Sequence, residues 1–231
     1  NVPFEGPIAT GQNLKMFRQI KELASKTSME LAEERGEAPD MEGTGMRNAH
    51  LLAVAPNATS SIICGGTSPS IEPIRANVFI HKTLNGSFQV RNRQLHNLLK
   101  QKWNNSEELQ KEYDSDYQHF KDKIWQSISE NTGSVKHLDF LTDLEKDVFK
   151  TADEIDQNWV IEHAAKRQEF ICQAQSVNLF FVAPRVQAKQ EEHDNFLRYT
   201  NKVHYQAWKK GLKSLYYLRS REGKSAENIN M

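Results

Sequence analysis

The sequence predicts an α/β fold in which short buried strands alternate with amphipathic helices. The apolar run at residues 51–55 is continuous rather than alternating, which is typical of a strand covered on both faces, and the mostly apolar run at residues 177–183 indicates a second buried strand. Segments with a helical apolar period lie before, between and after these runs. A third short strand is predicted at residues 215–218, and so few core strands cannot enclose a core of their own. The order of elements therefore favours part of an α/β barrel, incomplete on its own, over a complete doubly wound sheet.

The first helix is predicted from residue 13 to about residue 34, where apolar side chains recur close to the helical period, and Gly36 then provides a stop signal. The apolar residues are Leu14, Phe17, Ile20, Ala24 and Leu31. The stretch up to Gln12 is rich in proline and glycine and has no apolar period, so a loop is predicted there. Because the chain does not begin with Met, we expect it to have been processed or cut from a longer polypeptide.

A β-hairpin and a helical region are predicted in the middle of the chain. Asn85-Gly86 lies between the apolar runs 78–80 and 88–90, and this dipeptide is the strongest short-range hairpin signal. Residues 93–130 contain no proline and are rich in Leu, Trp, Tyr, Lys and Glu. They predict helices with an interruption near residues 104–106.

The last part of the chain is predicted as helix, strand, helix and strand. Residues 152–167 place their apolar side chains on one helical face, and Pro184 closes the strand 177–183. A long helix follows, with an apolar stripe over residues 196–212, and residues 215–218 form the final strand.

Composition and charge exclude several classes of protein. The longest apolar runs are far shorter than the roughly 20 residues that a bilayer requires. Lys and Arg number 30 against 30 Asp and Glu, although residues 184–224 hold ten against four. A structural or nucleic-acid-binding protein that uses this basic segment is one alternative, but the zero net charge argues against it. Cys64 and Cys172 lack metal-site spacing and are predicted to be packed thiols in a reducing compartment, so the chain is expected to be intracellular.

Residues 56–60 form a candidate anion site directly after the first predicted strand. Their side chains are of the types that cap a helix and leave its first amides pointing outward. Such amides, with the positive end of the helix dipole, can hold a phosphate or diphosphate without a lysine. The alternative is a plain strand-to-helix turn with an ordinary cap. The candidate residues are Pro56, Asn57, Ala58, Thr59 and Ser60.

Tyr216 and Tyr217 are the second candidate site. Two adjacent tyrosines near a strand are ordinarily amphipathic side chains at the edge of a core. Successive residues of a regular strand point to opposite faces, so contact between these phenols would require a local departure from strand geometry.

The amino-acid sequences of several segments resemble those of the large (catalytic) subunit of class I ribonucleotide reductases. The sequence Arg-Asn-Ala-His-Leu at residues 47–51, Ala-Pro-Asn-Ala-Thr-Ser-Ser at residues 55–61 and Ser-Ile-Glu-Pro at residues 70–73 are similar to that family's phosphate-binding strand and loop. Segments 85–88, 149–155 and 167–179 resemble the same family in the same order. The resemblance covers residue 47 to about residue 222.

The resemblance implies the C-terminal part of a ten-stranded α/β barrel with outer helices. Residues 1–46 would be a helix and loop leading into the barrel, residues 47–222 part of the catalytic barrel, and residues 223–231 a flexible tail. It further implies that residues 56–60 bind the diphosphate of the substrate. Tyr216 and Tyr217 would relay a radical from the small subunit during reduction of ribonucleotides to deoxyribonucleotides.

The family's mechanism needs three active-site cysteines, and neither Cys64 nor Cys172 stands in a matching context. The resemblance therefore implies a site that needs further polypeptides. These are the N-terminal part of the large subunit and a small subunit with a dimetal radical cofactor of iron or manganese. Thioredoxin or glutaredoxin would be the reductant and a ribonucleoside diphosphate the substrate, in the cytoplasm of a cell or of a phage host. No cofactor, metal, nucleic acid or membrane is expected for this chain, and a non-catalytic nucleotide-binding or regulatory module is the alternative.

Overall fold

The computed structural model describes residues 2–65, 68, 71–83 and 86–222. These residues form two compact units. The hairpin unit consists mainly of Pro73–Ile155, and the strand unit combines Glu5–Glu72 with Asp156–Glu222. The predicted division at residues 46 and 222 stays a prediction, and the predicted tail at residues 223–231 lies outside the described residues.

The first helix, α1, runs from Pro7 to Arg35 in the strand unit. The loop predicted up to Gln12 was therefore wrong over its second half. Pro7 occupies the first helical turn, where a missing amide proton costs nothing because the first amides of a helix have no intrahelical partner. The predicted end is confirmed, since Gly36 adopts a φ of 81° and donates its N–H to the Ala32 carbonyl at 2.8 Å.

The hairpin unit begins with the predicted β-hairpin, whose strands are β1, Val78–Thr83, and β2, Gly86–Arg91. They pair antiparallel, from Val78 opposite Arg91 to Thr83 opposite Gly86. Gly86 has a φ of 133°, a conformation that side chains with a Cβ rarely adopt. Asn85 of the predicted turn lies outside the described residues. The two strands and their pairing are confirmed.

Four helices complete the hairpin unit's described part: α3, Arg93–Asn105; α4, Glu107–Glu112; α5, Tyr117–Glu130; and α6, Asp143–Val148. The interruption predicted near residues 104–106 is confirmed, because Ser106 caps α4 by accepting the Leu109 N–H at 3.2 Å. The buried face of these helices forms the hydrophobic core of the unit. Its most enclosed members include Leu95, Leu99, Phe120, Trp125 and Ile128.

A buried asparagine joins the hairpin to this helical core. Asn77 is fully enclosed, and its amide group donates to the carbonyls of Gly133 at 2.9 Å and Phe149 at 2.8 Å. Its side-chain oxygen accepts from the Asn92 amide at 2.8 Å. A buried carbonyl without a donor is costly, so this one side chain satisfies groups from two distant segments.

The strand unit continues with α7, Gln157–Gln168, then β3, Leu179–Ala183, then α8, Gln190–Lys209, and ends with β4, Leu218–Glu222. Strands β3 and β4 pair in parallel, and both α7 and α8 contact β3. The helix predicted at residues 152–167 begins later than expected. A separate 3-10 turn spans Ala152–Glu154, and Asp156 then caps α7 by accepting the Asn158 N–H at 3.0 Å.

Two strand predictions were wrong in detail. Residues 51–55 form a single parallel bridge, Val54 opposite Gln175, rather than a strand, and Ala53 and Ala55 are exposed. A fully covered strand needs neighbours on both edges and on both faces, and the described backbone–backbone hydrogen bonds of this run all reach segment 173–176. The final strand begins at Leu218, so most of the run predicted at residues 215–218 precedes it.

The parallel pairing and its covering helices are those of an α/β fold. Within the part of the chain that the structure describes, the named strands form two sheets of two strands each, and no closed barrel is present. No helix in this described part is long and apolar enough to cross a membrane.

Replacing Asn77 by alanine should lower the free energy of unfolding by about 2 to 4 kcal/mol, because the buried carbonyls of Gly133 and Phe149 each lose a hydrogen bond from its side chain. Urea unfolding measures this quantity. Asn131→Ala is the matched control in the same unit, since the Asn131 amide bonds an exposed carbonyl of α5, and it should change stability by about 0.5 kcal/mol or less. Equal effects of the two variants would contradict the role given to Asn77.

Candidate functional site

One extended segment of the strand unit, residues 173–183, pairs with both predicted site elements. The segment before the candidate anion loop bonds one edge of it: the Ser176 N–H donates to the Val54 carbonyl at 2.8 Å, and the Val54 N–H donates to the Ala174 carbonyl at 3.1 Å. The tyrosine segment bonds the other edge. Because backbone groups of successive residues in a strand point to alternate edges, one segment can hold two partners that are far apart in sequence.

Tyr216 and Tyr217 are in contact, as the radical relay implied by the family resemblance requires. Their ring centres are 4.1 Å apart, the rings are tilted by 52°, and the two hydroxyl oxygens are 3.4 Å apart. The rings are about half exposed, at 49% and 51%. Because β4 begins only at Leu218, the pair lies before the regular strand, and the alternation of faces does not separate the two phenols.

The hydroxyl of Tyr216 donates to that of Tyr217. This hydrogen bond stabilises the neutral phenol and raises the pKa of Tyr216 above its ordinary value. The guanidinium carbon of Arg219 lies 5.0 Å from the centre of the Tyr217 ring, a cation–π distance. The positive charge of Arg219 therefore lies over one face of the Tyr217 ring.

A buried polar network adjoins the tyrosine pair and begins with Glu72 and Asn178. The Glu72 carboxylate accepts the Asn178 backbone N–H at 2.7 Å and the Asn178 side-chain amide at 2.9 Å. Asn178 in turn accepts the backbone N–H of Tyr217 on its side-chain oxygen at 3.0 Å. Burial raises the pKa of Glu72, while the bonds from Asn178 and the nearby Arg219 and Arg167 oppose that rise.

The network extends to α7 through the charge interaction of Glu72 with Arg167 and the hydrogen bond of Arg167 to Gln175. The Arg167 Nε donates to the Gln175 side-chain oxygen at 2.7 Å, and the Gln175 amide donates to the Ala164 carbonyl at 2.8 Å and to Gln168 at 2.9 Å. Arg167 is almost fully buried. Burial lowers its pKa to about 10, and the charge of Glu72 counteracts this effect.

These buried polar residues were missed as site residues in the sequence. The available signal was a set of polar residues in or next to apolar runs: Glu72, Arg167, Gln175 and Asn178. Since a buried polar group needs a hydrogen-bond partner, each of them implied a partner elsewhere in the chain. The sequence does not say which.

The candidate anion loop leads into a short helix, α2, Ala58–Ile63. Asn57 is the N-cap residue, but its side chain makes no capping bond to the first amides. Instead the Ser60 hydroxyl lies 3.4 Å from the Asn57 carbonyl, to which it donates. Pro56, Asn57 and Ser60 are exposed. The structure thus places an accessible helix start where the sequence predicted one, at the edge of segment 173–183 opposite the tyrosine pair.

The two cysteines differ from the packed thiols predicted for them. Cys64, just after α2, is exposed, so the prediction is wrong for this residue. Cys172 is half-buried, and its sulfur accepts the N–H groups of Leu51 at 3.0 Å and Leu52 at 3.1 Å. Burial by itself would raise the pKa of the Cys172 thiol, but these amides, together with Lys21, lower it below its ordinary value.

Comparisons of this chain with a family model and with known proteins point to the same family. Residues 38–218 match the family model described as "Ribonucleotide reductase, barrel domain". The "Ribonucleoside-diphosphate reductase large subunit" of Invertebrate iridescent virus 6 is 43% identical over 100% of this chain and 22% of its own length. The protein of the same name from Invertebrate iridescent virus 3 is 42% identical over 94% of this chain and 31% of its own length.

A solved structure agrees with these sequence matches. The "Actinobacillus ureae class Id ribonucleotide reductase alpha subunit" superposes on 95% of this chain with a TM-score of 0.74 and 36% identity. The chain covers 35% of that structure. The chain therefore spans about a fifth to a third of the length of these relatives.

Proposed function

Because the chain belongs to the ribonucleotide reductase large-subunit family, whose barrel domain it matches over residues 38–218, we propose that it forms part of the reaction chamber of a class I ribonucleoside-diphosphate reductase. In this proposal its strands and outer helices belong to the C-terminal part of a ten-stranded α/β barrel. The observation that carries the proposal is the contact between Tyr216 and Tyr217, with ring centres 4.1 Å apart. Ordinary strand residues would point these side chains to opposite faces.

The tyrosine pair is proposed to relay a radical. In each transfer the phenol O–H of one tyrosine breaks, and its hydrogen atom passes to the oxygen radical of the neighbouring tyrosine, which becomes a phenol again. The electron and the proton therefore move together, and no charge remains on either ring. The hydrogen bond from Tyr216 to Tyr217 supplies a path for this exchange. The radical would come from a small subunit that carries a dimetal cofactor of iron or manganese.

Residues 56–60 are proposed to hold the diphosphate of the ribonucleotide substrate. The Asn57 side chain leaves the first amides of α2 without a side-chain cap, and the loop is exposed at Pro56, Asn57 and Ser60. Because α2 spans only Ala58–Ile63, its dipole is short, and direct hydrogen bonds from amides and hydroxyls would provide most of the binding.

The chemistry also needs groups from other polypeptides. In the family a cysteine thiyl radical starts the reaction on the ribose, and two further cysteines supply reducing equivalents. Cys64 follows the candidate anion loop and Cys172 bonds the backbone of residues 51 and 52, so neither is assigned these roles. We therefore propose that the N-terminal part of the large subunit supplies them, with thioredoxin or glutaredoxin as reductant, in the cytoplasm of a cell or of a phage host.

Mixing experiments test the proposed function. The chain alone should show no reduction of nucleoside diphosphates, because the thiyl cysteine is supplied by another polypeptide. Turnover should appear when the N-terminal part of the subunit and the radical-bearing small subunit are added, as measured by deoxynucleotide formation. Reductase activity of the chain by itself would refute this division of roles.

Tyr216→Phe and Tyr217→Phe should each reduce turnover of the reconstituted enzyme to background. Each substitution removes one phenol O–H with little change in shape, so substrate affinity should stay nearly the same. Tyr205→Phe is the control, since Tyr205 is an exposed tyrosine on α8, and it should retain normal turnover. If either paired variant kept normal turnover, the relay would not pass through that phenol.

Thr59→Pro should weaken nucleoside diphosphate binding by about 1 kcal/mol or more for each lost hydrogen bond, roughly fivefold in affinity. Proline removes the amide at this position, and a helix tolerates proline in its first turn. Thr59→Ala is the control that keeps the amide and removes the hydroxyl together with the γ-methyl group. Direct binding titration of the reconstituted enzyme measures both effects, and unchanged affinity in Thr59→Pro would exclude an amide contact there.

A further inference from the structure

We infer that Glu72 and Asn178 are positioning residues that hold Tyr217 in contact with Tyr216. This inference rests on the proposed relay function of the tyrosine pair, because only a relay requires the two phenols to stay together. Neither residue touches the phenol oxygens. Asn178 bonds the backbone N–H of Tyr217, and Glu72 acts on Tyr217 through Asn178.

The backbone hydrogen bonds of the tyrosine pair depart from those of a parallel strand. The Tyr216 N–H donates to the Val177 carbonyl at 2.9 Å, and the Tyr217 N–H donates to the Asn178 side chain at 3.0 Å. In a regular strand the N–H groups of successive residues point to opposite edges. Here both point toward the same neighbouring segment, so the chain must turn at this point.

This turn explains the contact between the rings. In a regular strand the two side chains would project from opposite faces. Because the Asn178 oxygen draws the second amide toward the segment that already binds the first, the side chains of Tyr216 and Tyr217 come to the same side, with ring centres 4.1 Å apart. Strand pairing resumes just afterwards, where the Leu179 N–H donates to the Tyr217 carbonyl at 2.9 Å. The departure is therefore confined to the functional pair.

Glu72 sets the direction in which the Asn178 side chain points. A carboxylate only accepts hydrogen bonds, so the amide nitrogen of Asn178 must face Glu72, as it does at 2.9 Å. The amide oxygen is then left for the Tyr217 N–H. The second bond, from the Asn178 backbone N–H to Glu72 at 2.7 Å, fixes the same residue at its main chain.

The charges around Glu72 fit this role. Glu72 and Asn178 are only 8% and 7% exposed, and a buried carboxylate is costly unless donors and cations surround it. Arg167 and Arg219 provide favourable charge interactions with Glu72. Arg219 also lies over the ring of Tyr217, so a charge that compensates the buried carboxylate of Glu72 is next to the phenol that Glu72 and Asn178 position.

The contact can be measured without turnover. The hydrogen bond between the phenols raises the pKa of Tyr216, so this pKa reports whether the rings touch. We suggest a nuclear magnetic resonance titration of the full chain with labelled tyrosine ring carbons, with Tyr216 assigned from the signal lost in Tyr216→Phe. In Asn178→Ala and in Glu72→Gln the pKa of Tyr216 should fall toward the ordinary phenol value of about 10.

Glu72→Gln keeps the volume of the side chain, but it replaces one of the two carboxylate oxygens that accept the Asn178 donors by an NH2 group, which cannot accept. Gln157→Ala is the matched control. Gln157 is a buried residue whose side-chain oxygen accepts the Phe180 N–H at 2.9 Å, so it supports the same segment at a different amide. This control should leave the pKa of Tyr216 at its raised value, even if it lowers stability by a similar amount.

An unchanged pKa of Tyr216 in the folded Asn178→Ala and Glu72→Gln proteins would overturn the inference. A fall of the same size in Gln157→Ala would also overturn it, because the effect would then be general loosening. Should Asn178→Ala fail to fold, Glu72→Gln decides the question with the same two outcomes.

The outcome is separable from that of the proposed function. If Asn178→Ala shifts the pKa of Tyr216 but Tyr216→Phe keeps full turnover, Glu72 and Asn178 position Tyr217, and the tyrosine pair does not relay the radical. If the positioning role and the relay are both correct, Asn178→Ala should lower kcat of the reconstituted enzyme by about a hundredfold with little change in KM. This is the scale expected when a reacting group is misplaced by about 1 Å.

Discussion

The arrangement of this chain depends on the two hydrogen-bonding edges of one extended segment, residues 173–183. One edge binds the run that leads to Pro56, and the other binds the tyrosines and β4. The two partners are separated by about 160 positions in the sequence, so no local preference could bring them together. Alternation of backbone groups along a strand allows one segment to fix both. Helices α7 and α8 contact β3 and hold it in place.

The polar network joins two residues of this segment, Gln175 and Asn178, to Glu72 and Arg167 in the interior of the strand unit. Glu72, Arg167, Gln175 and Asn178 occupy positions where apolar side chains would pack at lower cost. Their donors and acceptors match one another closely, at 2.7 to 2.9 Å. In a medium of low dielectric constant such matched bonds are strong and directional, and a mismatch is expensive. The network therefore specifies one geometry for the tyrosine pair, which an apolar core of the same volume would not do.

The division of chemistry between this chain and other polypeptides is a proposal that rests on the following observations. The chain has an accessible helix start and a pair of touching phenols, and neither of its cysteines is assigned to the substrate radical. Residues 52–54 and β4 each have their described pairing partner on segment 173–183. Open strand edges of this kind favour the addition of further strands. A site that is completed by other polypeptides is consistent with a chain that spans 22% and 31% of two relatives' lengths.

The sequence by itself determined the elements that depend on neighbouring residues. The hairpin at residues 78–91, the helix break at Ser106 and the end of α1 at Gly36 all follow from turn and cap residues, whose effect is local. The loop at residues 56–60 and the tyrosine pair were predicted as site residues from the resemblance of their sequences to the family, and their roles stay predictions. Only the tertiary structure decided that residues 51–55 are not a buried strand, and that Tyr216 and Tyr217 touch. Both facts depend on hydrogen bonds between segments that are far apart in the sequence. Val54 bonds segment 174–176, and Glu72 bonds Asn178. Contacts of this kind leave no periodic signal in the sequence.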